Sequence, residues 1–167
     1  YESKSILNVN VPTNTSQIIK DIQLQADPSH NASRVVSCRI PGNNEGDEGK
    51  VTAALGPPDN VNYALGNNGW VVLDVQTPVM SSPGNDIIIY EGDDSPEGYT
   101  LYASNSKEGP WTLLGSAEGT AEFNMTGVPF GQARYLKIQD DGGGTSYGND
   151  VGFDLDAVEV VNPPELE

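Results

Sequence analysis

The residues best suited to chemistry in this sequence are acidic, and the chemistry they suggest is calcium binding. Calcium takes about six to eight oxygen ligands, commonly carboxylates and the backbone carbonyls that tight Gly and Pro loops expose. Asp154 and Asp156 stand two apart in residues 153–161, a segment whose alternation predicts a strand, so both side chains would share one face. If buried, two such carboxylates need a cation or hydrogen-bond donors. A solvent-facing strand edge with two ordinary acids explains the pattern as well.

Aromatic side chains beside polar groups are the second candidate, because they can stack on sugars. Tyr147 lies in the glycine-rich segment 139–152, with Asn149 and Asp150 close behind it. Tyr63 is a further candidate, since asparagines flank it. Long polar segments without secondary structure are usually functional. We therefore predict that these four residues contact a ligand.

The inventory for catalysis is thin. His30 is the one histidine, and its Pro- and Ser-containing surroundings predict a surface loop. The sequence contains no G-x-S-x-G, no Walker A and no H-E-x-x-H motif. A glycosidase needs two carboxylates, but among 24 acidic residues some pair will always lie at a suitable distance. The sequence therefore predicts a protein that is not an enzyme.

The elements that must position these residues are strands, because the hydrophobic pattern has period two far more often than 3.6. One helical turn is expected near 49–54, and two long polar loops are expected at 41–50 and 139–152. The pattern predicts an all-β, antiparallel β-sandwich. Nine strands are predicted: 18–24, 34–40, 70–76, 86–91, 99–104, 111–115, 121–125, 133–139 and 153–161.

Length and charge narrow the class of protein. The 167 residues suit one domain, and the formal net charge of -16 disfavours binding to nucleic acid or to an anionic membrane surface. No run of 18 or more apolar residues occurs, so we expect no membrane insertion. Cys38 is the only cysteine, and its apolar neighbours predict a buried free thiol.

A series of motifs resembles a known group of domains. The series is AALGPPD (53–59), GWVVLD (69–74), PGND with IIIYE (83–91), TLYAS (100–104), GPWT (109–112), ARYLKI (133–138) and GFDLDAV (152–158). In order and spacing it resembles the galactose-binding-like superfamily, which includes discoidin domains, coagulation-factor C domains and family 32 carbohydrate-binding modules. The resemblance covers residues 50–161 and implies a jelly roll of about eight strands.

The resemblance also implies sites. In members that bind calcium, ligands come from a loop and from an acid in the last strand; these positions fall at Asp59 and Asp156. The family more often has glutamate at the second position, and aspartate is shorter by one methylene. Trp70 and Trp111 fall at positions that the family uses for its core. Members bind their ligands through loops at one end of the sandwich.

Together these observations predict a non-catalytic carbohydrate-binding module of a larger extracellular or cell-surface protein, stabilised by calcium. Its partners would be a polysaccharide or glycan and other domains of the same parent chain. The alternative is a structural or adhesive calcium-binding module with no small-molecule ligand. We expect a single domain over 1–161, of which 1–49 lie outside the resemblance. Residues 162–167 would be the start of a linker followed by vector-derived residues.

Overall fold

The structure is a computed structural model that describes residues 16–25, 30–42, 49–143 and 151–161. Ten strands form within these ranges. They are β1 Gln17–Gln25, β2 Arg34–Ile40, β3 Tyr63–Ala64, β4 Trp70–Met80, β5 Ile87–Glu91, β6 Gly98–Ser104, β7 Thr112–Glu118, β8 Ala121–Phe123, β9 Gln132–Asp140 and β10 Asp154–Val160. Short 3-10 helices occupy Val51–Ala54 and Pro129–Gly131.

Two antiparallel sheets make up the molecule. The larger has the order β1-β2-β4-β9-β6-β7, and the smaller has the order β3-β10-β5-β8. The chain changes sheet after every strand except β1 and β6, so the two layers are interwoven. The architecture confirms the predicted all-β antiparallel sandwich. Within the described ranges, no helix has the length and apolar character needed to cross a membrane.

The core lies between the sheets and follows from strand alternation. On β4, Val71 and Leu73 point inward, and they pair with Ile138 and Leu136 of β9. All four side chains are buried, whereas the residues between them on each strand face the other side of the sheet. The predicted buried thiol is confirmed, since Cys38 forms no disulfide and is fully buried in the same core.

Strand β4 continues beyond its predicted end. The sequence pattern predicts a strand over 70–76, but β4 runs to Met80 through an irregular stretch between Asp74 and Val79. There Gln76 adopts a φ of 57°, and its N–H donates to Asp74 Oδ1 at 2.7 Å. The side chain of Asp74 thus holds the irregular backbone in place.

Buried aspartates fasten the connecting segments to the sandwich. Asp140 ends β9 and is 2% exposed, yet its carboxylate is well supplied with donors. The N–H groups of Asn68 and Gly142 donate to Oδ2 at 3.0 and 2.8 Å, and that of Phe153 donates to Oδ1 at 2.9 Å. One carboxylate therefore joins the start of the glycine-rich segment, its end and the turn before β4.

Asp86 and Asp74 are fully buried in the same manner. Asp86 accepts the N–H of Ser82 at 3.0 Å and that of Met125 at 2.9 Å, which ties the turn before β5 to the end of β8. Asp74 accepts a two-point interaction from Arg134, with both nitrogen–oxygen distances at 3.0 Å. Each charge is compensated by donors held in place, which is the condition for burying a carboxylate.

Replacing Asp140 with Asn should destabilise the fold. The change removes the negative charge that three main-chain N–H groups share and places an amide donor against them, so we expect a loss of about 2–4 kcal/mol in the free energy of unfolding. Denaturant unfolding measures it. Asp94→Asn, at an exposed loop acid, is the matched control and should change little. Equal unfolding midpoints for the two variants would contradict this account.

Candidate functional site

Asp59 and Asp156, the predicted loop and strand ligands, do come together. Asp156 is 2% exposed, and it accepts the N–H of Asp59 on Oδ1 at 3.1 Å and that of Asn60 on Oδ2 at 3.0 Å. The carboxylate of Asp59 points elsewhere, accepting the N–H of Val61 at 2.9 Å. Asn60 has a φ of 64°, a left-handed conformation that asparagine tolerates well. The contact is therefore a loop anchor.

This pair does not fit a calcium site. The two N–H groups at Asp156 are positive dipole ends, and a cation would have to share the carboxylate with them. Because each trans peptide points its carbonyl away from its N–H, the carbonyls of Pro58 and Asp59 face away from Asp156. In the part of the chain that the structure describes, no three His, Cys, Asp or Glu side chains group as a metal site.

Strand β10 also has a β-bulge at Asp156, so this residue does not follow the regular alternation of side chains between the two faces of the strand. Leu155 pairs with Glu91 and Ala157 with Tyr90, so Asp156 is the extra residue. Phe153 and Leu155 enter the core cluster before the bulge, and Val158 and Val160 enter it afterwards. The sequence pattern instead predicts that Ala157 shares the face of Leu155. The bulge corrects that expectation, because an extra residue reverses the side-chain parity.

The other predicted residues fall in three places. Asp154 is buried at the start of β10, where its main chain pairs with Ala64. Tyr63, expected to be an exposed platform for a sugar, is only 2% exposed because β3 places its ring in the core. Tyr147, Asn149 and Asp150 lie outside the described residues.

A second candidate site lies on the outer face of the larger sheet. It is an open groove of about 250 Å³, which we call the tryptophan groove. Its lining combines aromatic rings, amines and a floor of small aliphatic side chains. The lining residues are Ile18, Lys20, Val36, Ser37, Trp70, Val72, Lys107, Glu108, Trp111 and Lys137.

Strand register places these side chains in rows across the sheet. One row runs over five strands and contains Lys20, Ser37, Val72, Lys137 and Tyr102. The adjacent row contains Ile18, Arg39, Trp70 and Gln139. Since residues two apart on a strand share a face, Trp70 and Val72 lie on the groove side while Val71 lies in the core.

Lys137 is the central cation of the groove. Its Nζ lies over the ring of Trp70, 4.8 Å from the centroid, and 5.9 Å from the centroid of Tyr102. Ammonium groups within about 6 Å of a ring centroid are attracted by the electrons of the ring face. Partial burial lowers the pKa of the Lys137 amine from its usual value. The aromatic rings thus position a charged amine that has lost part of its hydration.

The second tryptophan comes from the β6–β7 connection. Trp111 directly precedes β7, and the same connection contributes Lys107 and Glu108. Gly109 has a φ of 85°, and a Cβ at that position would stand 2.9 Å from Cδ1 of Trp111. Only glycine fits both the backbone conformation and this close approach. The glycine therefore lets the indole sit against its own turn.

The local charge of the groove is opposite to that of the whole chain. Three of the chain's eight basic residues line it, against one acid, Glu108, among the residues that the structure describes. Three positive charges and one negative charge give a local sum of +2, whereas the formal charge of the chain is -16. The groove is thus a site where an anion is not repelled at short range.

Sequence reasoning missed the groove because it assigned both tryptophans to the core. Neither Trp70 nor Trp111 belongs to the buried core, and both are partly exposed on the sheet face. The available signal was parity: in GWVVLD, Trp70 and Asp74 alternate with Val71 and Leu73, so both sets cannot face inward. Which strands bring the lysines alongside is a matter of pairing, which the sequence does not state.

An acidic pocket forms where the loops meet at the end of the sandwich, lined by Glu97, Glu118 and Asp141 among others. Beneath it, Glu91 ends β5, and its carboxylate accepts the N–H of Glu97 at 3.1 Å. Burial raises the pKa of Glu91 to about 7, Asp93 adds to the rise, and the Glu97 N–H opposes it. His30, the only histidine in the sequence, is exposed and does not line this pocket.

Comparisons with known proteins concern the fold. No protein-family model matches the chain, and no curated protein matches it. Several solved structures do match. One is a GH29 fucosidase of Ruminococcus gnavus in complex with fucose, with 16% sequence identity and a TM-score of 0.47. The match covers 70% of this chain and 23% of the fucosidase chain.

Two similar structures are single modules. A CBM32 module produced by Clostridium perfringens has 12% identity and a TM-score of 0.46, covering 66% of this chain and 83% of its own. The CBM32 module of AlyQ, in complex with 4,5-unsaturated mannuronic acid, has 15% identity and a TM-score of 0.46, covering 66% and 85%. Family 32 modules are among the domains that the sequence motifs resemble. The function has to be read from the residues of this chain.

Asp156→Asn should lower the melting temperature by the same amount in chelator and in millimolar calcium. The side chain anchors main-chain N–H groups, so its loss does not depend on a metal. Differential scanning calorimetry in both buffers measures this. A calcium ion on Asp156 at 100 times its dissociation constant would add about 2.7 kcal/mol to the wild type alone. A larger loss in calcium than in chelator would therefore contradict the anchoring role.

Glu91→Gln should stabilise the protein at neutral pH. A carboxyl whose folded pKa of about 7 exceeds its ordinary value of 4.5 contributes stability at low pH, and that contribution is lost as the pH rises through 7. The advantage of the variant should grow from near zero at pH 4.5 to about 1–2 kcal/mol above pH 7, allowing for solvent screening. Unfolding at several pH values tests it, with Glu118→Gln as the exposed control. A constant difference across pH would refute it.

Proposed function

We propose that the chain is a non-catalytic carbohydrate-binding module whose ligand lies along the tryptophan groove. One observation carries the proposal: both tryptophans of the chain line a single open groove, and Lys137 lies over one of them. Aromatic rings exposed together with polar groups are typical of ligand sites.

The chemistry of the groove suits a sugar. An indole offers a flat apolar surface for the C–H face of a pyranose, together with an N–H donor. Val36 and Val72 form an apolar floor, while Ser37 and Lys20 supply polar groups at its side. Carbohydrate ligands have the same division between apolar faces and hydroxyl edges. The groove therefore matches both parts of the ligand.

The shape of the groove favours part of a chain over an enclosed small molecule. Its volume of about 250 Å³ falls below the range of roughly 300–1,000 Å³ that is usual for small-molecule pockets, and it is open to solvent. A glycosidase mechanism needs two carboxyl groups about 5–10 Å apart. Among the described lining residues only Glu108 has one, which supports binding without catalysis.

Other parts of the sequence-based hypothesis stay predictions. Tyr147, Asn149 and Asp150 remain predicted ligand contacts. The location outside the cell and the attachment to further domains of a parent chain are likewise predictions. Stabilisation by calcium is also a prediction, and it would need ligands other than the Asp59–Asp156 pair.

Intrinsic fluorescence tests the proposal directly. Because both tryptophans line the groove, a ligand bound there should change their emission, whereas a ligand bound at the loop end should leave it nearly unchanged. Titration with a panel of soluble polysaccharides should give a saturable change for at least one. Trp111→Ala should then weaken binding of that glycan at least tenfold, because it removes one stacking surface.

Phe130→Ala is the matched control for loss of an aromatic side chain. Phe130 is 92% exposed and lies outside the groove, so its removal should leave affinity unchanged. Binding that survives Trp111→Ala with no change in emission would move the site to the loops. No binding to any member of a broad panel would refute the proposal and favour the structural or adhesive alternative.

A further inference from the structure

The placement of lysines in the tryptophan groove carries the proposed function further. In a chain with 24 acidic and 8 basic residues, a surface patch drawn at random would be acidic. The groove instead gathers Lys20, Lys107 and Lys137 around one acid. Solvated amines for solubility need no grouping of this kind, and in an acidic protein they would be more useful spread among the carboxylates.

The geometry points to an anionic polysaccharide as the occupant, and we propose that the groove selects glycans carrying carboxylate or sulfate groups over neutral ones. This inference rests on the proposed function, because it specifies the charge of the glycan that the groove binds. Trp70 and Trp111 would contact the sugar rings, and the amines of Lys20 and Lys137 would pair with the acidic groups.

The positions of Lys20 and Lys137 in the sheet support a polymeric ligand. Lys20 and Lys137 stand in the same row, on β1 and β9, with β2 and β4 between them. Three strand spacings of about 4.8 Å place their Cα atoms roughly 14 Å apart. That span exceeds the size of one monosaccharide. A single chain lying across the strands can span both lysine positions.

Lys137 is well suited to hold an anion. Its Nζ lies over the rings of both Trp70 and Tyr102, and these contacts restrain the side chain before a ligand arrives. Partial burial also leaves the amine with less hydration to lose. A carboxylate placed there would gain a charge-assisted hydrogen bond at a low cost in conformational entropy.

Matched pairs of polymers test the charge preference. Polygalacturonate is compared with its methyl ester, and dextran sulfate with dextran, by tryptophan fluorescence and isothermal titration calorimetry. We expect binding of the anionic member of at least one pair to be ten times tighter than that of its neutral partner. The anionic affinity should fall several-fold between 50 and 500 mM salt. Which pair responds identifies the acidic group as carboxylate or sulfate.

Substitutions separate this inference from the proposed function. Lys137→Gln and the double change Lys20→Gln with Lys107→Gln should each weaken anionic binding about tenfold. Lys137→Arg should retain it, and Lys50→Gln, at an exposed lysine outside the groove, should have no effect. Trp111→Ala should weaken binding of any glycan at least tenfold, whatever its charge. Thermal melting confirms that each variant is folded.

The outcomes are distinguishable. Equal affinity for the anionic and neutral members, weakened in Trp111→Ala, would overturn the charge preference and keep carbohydrate binding. No binding to any of the four polymers or to the wider panel would overturn both. Binding of poly-L-glutamate as tight as that of the acidic glycans would also overturn the inference, since the groove would then recognise charge without the sugar.

Discussion

The structure depends on carboxylates buried beneath its loops and held there by main-chain N–H groups. Each of these carboxylates accepts at least two such donors, and at least one of the donors comes from a segment distant in sequence; the residues are Asp86, Asp140 and Asp156. A buried charge is tolerated only with fixed partners, and the loop backbone supplies them at the ends of strands. Each aspartate therefore fixes where a loop leaves the sandwich, and part of the acidity of the chain is structural.

This use of aspartate changes how the acidic candidates are understood. Asp156 is buried, anchored and close to Asp59, which are the features expected of a calcium ligand. The donors around it are N–H groups, however, and a cation site requires oxygen atoms facing the same point. The same carboxylate position in a strand can serve either purpose. The orientation of two peptide groups in the loop decides between them.

The two faces of the larger sheet have different roles, because successive side chains along each strand point to opposite faces. Inward residues such as Val71 and Leu73 build the core, and the residues between them carry the tryptophan groove. Because five strands contribute to one row of the groove, its shape is tied to the register of the whole sheet. The rigid element of the fold thus positions the candidate ligand contacts. The acidic pocket at the loop end shares no lining residue with the groove, so its carboxylates do not line the surface that carries the lysines.

The sequence by itself determined the class of fold and most strands, because period-two alternation and turn residues are local signals. It placed nine of the ten strands in the described ranges, missing only the two-residue β3, and it identified Cys38 as a buried thiol. It could not place Trp70 or Trp111, nor show that Tyr63 is buried. Those outcomes depend on which strands pair, where a bulge reverses parity and which face of a sheet is covered. Such contacts join residues far apart in the chain, so only the tertiary structure decided that three lysines and two tryptophans meet in one groove.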